Sequence, residues 1–101
     1  MNTKLLVPTD FSEVAQSAMQ HATKFAENIN ADVVLLHVVS SREEVEEAKE
    51  KLSKEITLGS SFSSSCNITS FVRIGNIFED IGDVAAELGI SLIFMGTHKA
   101  S

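Results

Sequence analysis

The chain has no tryptophan, no tyrosine, one proline and one cysteine in 101 residues, and eight basic residues stand against fourteen acidic ones. A single cysteine, Cys66, excludes an intrachain disulfide, so the fold rests on its core, and this usage suits a reducing compartment. Cys66 lies in a serine-rich stretch with no basic neighbour to lower its pKa, which reads as an inert thiol. The net charge of −6 leaves no basic stripe to displace counterions from a phosphate backbone, so nucleic acid is not an expected partner. No apolar run approaches the ~18 residues that span a bilayer. After Lys4 only three apolar residues precede Pro8, too few for a secretory h-region. A cytoplasmic location without membrane attachment is the expectation.

Several chemistries are also missing. Neither Gly-x-Gly-x-x-Gly nor Gly-x4-Gly-Lys-Ser/Thr occurs, and no serine sits in a nucleophile elbow with a partnered base. His21, His37 and His98 lack cysteines or clustered carboxylates at ligand spacing, so a metal site is poorly supported. The acidic run Glu43, Glu44, Glu46 and Glu47 suits the solvated start of a helix, where carboxylates favour the macrodipole. A non-catalytic protein is expected.

What is present is an apolar fraction of 44 %, arranged as alternating strands and helices. Leu5-Leu6-Val7 is apolar on successive residues, as in a strand covered on both faces. From Ser12 to Asn28, Val14, Ala15, Ala18, Met19, Ala22, Phe25 and Ala26 recur every three or four residues, forming one stripe of a helix. Asp10 and Glu13 have capping-box spacing at its start. Val33 to Val39 reads as a second buried strand. A helix with Val45, Ala48, Leu52 and Ile56 on one face follows, with Ser40 or Ser41 as its cap.

Gly59 to Ser65 has the composition of a flexible connector. Ile68 to Ile74 alternates with period two, better suited to an edge strand. Asn76 and Glu79 repeat the capping-box spacing before a third helix that Gly89 is placed to stop. Ile90 to Met95 is the fourth strand. Strands separated by helices pair in parallel through right-handed crossovers, which predicts one doubly wound α/β domain with helices on both faces.

The carboxyl edge of such a sheet is where ligands bind. Asp10, after the first strand, is either a helix cap or a carboxylate for a ligand hydroxyl or amino group. Pro8 and Thr9 beside it are equally open, since Pro8 also ends a strand whose N–H is not needed. Gly96-Thr97-His98, after the last strand, is either a plain turn or a place where a ligand approaches the main chain closely.

The opening Leu-Leu-Val-Pro-Thr-Asp-Phe-Ser, the strand Val-Leu-Leu-His-Val-Val (34–39), the turn Gly75-Asn76 and the ending Leu-Ile-Phe-Met-Gly-Thr-His (92–98) together resemble the universal stress protein family, in register over the whole chain. The resemblance implies strand order 3-2-1-4, with strands 1 and 4 adjacent at the topological switch point, and a fifth strand missing. It implies a stress-response protein that binds ATP or AMP as a ligand and requires no cofactor. By resemblance Asp10, Val38, Met95 and Gly96 would contact the nucleoside; with the neighbouring strand-end residues Pro8, Thr9, Thr97 and His98 they make up the expected nucleotide site. The family's phosphate pattern Gly-x2-Gly-x9-Gly-Ser/Thr would begin at Gly96. Its second glycine is replaced by Lys99, and its final pair falls past residue 101. A C-terminally incomplete domain with a weakened triphosphate site is therefore expected, as is a homodimer or larger assembly through the open edge of strand 4. The alternative is a member that binds no nucleotide and acts through dimerisation and protein partners.

Overall fold

The first strand, β1 (Lys4–Pro8), forms the centre of the sheet because Leu5, Leu6 and Val7 are all completely buried. Successive strand residues face opposite sides, so only a segment apolar at every position can be covered on both. β2 (Asp32–Val39) has the same character and pairs with β1 in parallel from Lys4↔Asp32 to Pro8↔Leu36. The computed structural model describes residues 3–63 and 65–96, and within them the sheet order is β3-β2-β1-β4, all parallel.

The two faces are covered differently. Leu5, Val7, Val33 and Leu35 face α1 (Glu13–Ile29) and α2 (Val45–Phe62), closing over Met19, Ala22, Ala26 and Leu52. Leu6, Val34 and Leu36 face α3 (Ile77–Leu88), which contributes Val84 with Ile77, Ile81 and Ala85 around it. Each fully buried leucine contributes roughly 1.5–3 kcal/mol relative to an exposed one. The change of face between α2 and α3 follows from the right-handed crossover rule, because the chain reverses direction across the sheet there, and it makes the fold doubly wound, as the alternating pattern predicts.

Local chemistry sets the helix ends. Ser12 caps α1, its Oγ accepting from Ala15 N at 3.2 Å. Asp10 sits one turn of chain earlier, its Oδ1 accepting from Ser12 N at 3.0 Å, so the capping-box reading of Asp10 and Glu13 gives way to an Asx turn leading into a serine cap. α1 ends at Asn30, which takes the left-handed conformation at φ 55° while its N–H bonds back to Ala26 O. Before α2, Ser41 leads a single 3-10 turn (Arg42–Glu44), and the Glu44 carboxylate accepts from the N–H and hydroxyl of both Ser40 and Ser41. The two hydroxyls, with desolvation opposing them, lower the Glu44 pKa below 4.5. At α3 the carboxylate that reaches back is Asp80, accepting from Asn76 N at 2.6 Å, and not Glu79 as the spacing suggests. Gly89, at φ 67°, ends that helix as expected.

Two expectations about length need correction. The Gly59-to-Ser65 connector does not begin at Gly59, because α2 continues to Phe62. A Cβ at Gly59 would stand 2.7 Å from Ile68 Cδ1 and 3.1 Å from Met19 Sδ, so this glycine lets α2 lie close against α1 and the β3 strand (Ile68–Ile74). Its role is packing, not flexibility. The fourth strand, β4, is confined to Leu92–Ile93, shorter than the run from Ile90 to Met95. Along β1, Thr9 N donates to Leu36 O on the β2 side at 2.8 Å. Donors alternate, so the N–H at position 8 would point toward β4. Pro8 has none, so beyond the bond from Phe94 N to Leu6 O the β1 strand offers β4 no further donor.

Candidate functional site

The parting of β1 and β4 opens a cleft of about 480 Å³ at the carboxyl edge of the sheet. Its floor and near wall come from the β1–α1 loop: Pro8, Thr9, Asp10 and Ser12, with Ala15 of α1 behind them. His37 and Val38 at the end of β2 form one side, and Ile77 and Ile81 from the first turns of α3 form another. Met95 and Gly96, leaving β4, close the far side. Most of this lining is hydrocarbon. The one carboxylate among these residues, Asp10, is exposed at the rim.

The β1–α1 loop is held in several ways at once. Thr9 is buried, its N–H given to Leu36 O and its Oγ1 accepting from Phe11 N at 3.0 Å. The Thr9 carbonyl lies 2.7 Å from His37 Nδ1. A carbonyl only accepts, so Nδ1 carries the proton and, in the neutral ring, Nε2 keeps its lone pair. Phe11 takes a left-handed backbone at φ 66°, which costs a bulky residue about 1–2 kcal/mol. Its ring rests against His37 with centroids 4.4 Å apart, and Lys51 Nζ stands 5.5 Å from its centroid.

Gly96 has a definite structural reason. A Cβ there would lie 2.5 Å from Val14 O and Val14 Cγ1, so only glycine lets the exit of β4 pass the first turn of α1. Gly96 thus lines the cleft and also sets its width.

Of the eight residues expected in the site, Pro8, Thr9, Asp10, Val38, Met95 and Gly96 are brought together around this one cleft. Thr97 and His98 lie outside the described residues. Ser12, Ala15, His37, Ile77 and Ile81 also line it, without having been assigned to the site from sequence. The isoleucines read as ordinary core positions of α3, and nothing in a 3.6-residue period separates a core wall from a cleft wall. His37 carried a signal, a polar ring at the end of an otherwise apolar strand. Away from the cleft, burial first, then the Asp32 and Glu27 carboxylates, push the Cys66 thiol up, in keeping with an unreactive side chain. Among the described residues no three histidine, cysteine or acidic side chains gather as a metal site, and no helix is long and apolar enough to cross a membrane.

The family model described as the universal stress protein family matches residues 1–101. The chain belongs to the universal stress protein family. Universal stress protein MJ0577 from Methanocaldococcus jannaschii is 27 % identical, over 97 % of this chain and 78 % of its own length. Among solved structures, a universal stress protein from Archaeoglobus fulgidus superposes with a TM-score of 0.87 at 22 % identity, covering all of this chain and 80 % of that one. A universal stress protein from the same organism, solved in complex with dAMP, superposes with a TM-score of 0.80 at 19 % identity, covering 94 % of this chain and 80 % of that one. These universal stress protein structures share the order of strands and the parallel sheet, and the switch-point cleft lies where that fold opens.

Proposed function

We propose that this universal stress protein domain is a non-catalytic, cytoplasmic stress-response protein that binds an adenine nucleotide in the cleft between β1 and β4. The observation that carries the reading is the cleft itself. Its volume of about 480 Å³ falls within the roughly 300–1,000 Å³ of small-molecule sites, and apolar walls with few polar groups are the usual design of such sites. Val38, Ile77, Ile81 and Met95 supply surfaces for a base or sugar, and Asp10 supplies an acceptor for a ribose hydroxyl or base amino group. An ionised carboxylate has about four acceptor positions, and one of those on Asp10 takes the Ser12 N–H. The A. fulgidus relative solved with dAMP supports the same ligand class.

The phosphate end is proposed to be weak. Lys99 stands where the family pattern has its second glycine, and a lysine replaces a flexible backbone donor with a single mobile charge. Isothermal titration of the chain with AMP and with ATP tests this. Saturable heat with both, and ATP no more than about tenfold tighter than AMP, is expected. Asp10→Ala should weaken binding by roughly 10- to 100-fold, the range for a hydrogen bond to a charged acceptor. A folded sample that gives no heat with either nucleotide overturns the reading.

That outcome would favour a second reading, association with protein alone. Leu92 and Ile93 of β4 are 46 % and 43 % exposed and lie on an edge of the sheet. An apolar edge strand is a template for pairing with another chain. Sedimentation of the chain and of Ile93→Lys tests it: a concentration-dependent dimer reduced to monomer by the lysine supports edge pairing, and a monomer throughout excludes it.

A further inference from the structure

We propose that His37 is the positioning residue of this cleft, gripping the residues on both sides of Asp10 and so fixing where its carboxylate stands. The inference rests on the nucleotide reading above and deepens it. One imidazole makes both contacts. Its Nδ1–H donates to the carbonyl of Thr9, immediately before Asp10, at 2.7 Å. Its ring lies against that of Phe11, immediately after Asp10, at 4.4 Å and a tilt of 44°. The grip is needed because the segment is not in a relaxed conformation: Phe11 is left-handed at φ 66°, a state that persists only when its surroundings impose it.

The alternation of β2 explains how the ring gets there. Leu35 packs beneath α1 and α2, Leu36 faces α3, and His37 returns to the α1 and α2 side where β1 has turned away. A hydrocarbon at 37 would fill that space without a donor for the Thr9 carbonyl. A buried carbonyl without its donor is costly, and the loop would shift to find one. His37 therefore acts on the ligand through Asp10.

Three variants separate positioning from packing. His37→Phe keeps a ring against Phe11 and removes the donor. His37→Asn keeps a short N–H donor near the Nδ1 position and removes the ring. AMP affinity should fall roughly three- to tenfold in His37→Phe, the range of one lost hydrogen bond, and His37→Asn should recover most of that loss. In an Asp10→Ala background, His37→Phe should cost nothing further, because the residue it positions is gone. Unchanged affinity in His37→Phe, or losses that simply add in the double variant, overturns the proposal. Ligand-free measurements decide the grip even if the chain binds no AMP and the nucleotide reading fails. Nitrogen-15 spectra should show the Nδ1–H tautomer of His37, and the Phe11 amide should exchange slowly in the parent chain and faster in His37→Phe. An Nε2–H tautomer, or unaltered Phe11 exchange, refutes the grip independently of any ligand.

Discussion

Replacing Gly96 by alanine asks whether the glycine serves packing or ligand approach. The added Cβ would meet Val14 O and Cγ1 at 2.5 Å and Val14 C at 2.8 Å, and real Cβ contacts essentially never fall below 3.0 Å. At least about 0.5 Å of movement is required, and a rotamer change of Val14 relieves only the Cγ1 contact. The carbonyl belongs to the first turn of α1, a helix locked by Met19, Ala22 and Ala26 in the core, so β4 must yield. Overpacking of this kind costs about 1–3 kcal/mol. In a domain near 100 residues each kcal/mol shifts the Tm by roughly 4–8 °C. Urea and thermal unfolding without nucleotide should therefore show Gly96→Ala clearly destabilised. If the glycine served only to let a ligand approach, stability would stay within about 0.5 kcal/mol of the parent while nucleotide affinity fell. That pattern would refute the packing argument.

The two acceptors at the start of α1 should separate stability from binding. Ser12→Ala removes the helix cap and should cost about 1 kcal/mol by urea unfolding. Asp10→Ala should cost less stability and show its larger effect in AMP titration. Glu55, 5 % exposed on α2 with no partner for its Oε2 among the described residues, gives a pH signature. Desolvation, partly offset by a hydrogen bond from Gln16, raises its pKa above the ordinary 4.5. Folding therefore favours the protonated form: the stability tied to this group is fully present below about pH 4.5 and is lost as pH rises through the raised value. Glu55→Gln should be more stable than the parent at pH 7, and the gain should shrink on acidification. A gain that grows at low pH would contradict the assigned direction.

How far the sequence carried these conclusions varied with the kind of signal. β1 and β2 were legible because apolar residues at successive positions exclude a half-exposed strand, and β3 because its period-two alternation fits an edge. Val38 and Met95 were expected from the family resemblance alone and Asp10 also from its place after β1, and all three line the cleft. Local composition misled where a tertiary contact decided the outcome. Gly59-Ser60-Ser61 has loop composition, yet Met19 and Ile68 close over Gly59 and Phe62 packs against the core, so the helix runs on. Spacing alone also failed to choose between neighbouring acceptors: Ser12 won over Asp10, two residues before it, as the cap of α1, and Asp80 over the adjacent Glu79 at α3. The role of His37 needed coordinates, because nothing in a strand pattern tells which carbonyl a ring nitrogen will meet 28 residues away.

Amide chemical shifts on adding AMP decide whether the switch-point cleft takes the base and sugar of an adenine nucleotide. Saturable shifts should concentrate at Thr9, Asp10, Ser12, His37, Val38, Ile77 and Gly96, with the amides of the α1–α2 face near their starting positions. Saturable shifts centred on another surface, or none at millimolar AMP in a well-dispersed spectrum, would contradict it.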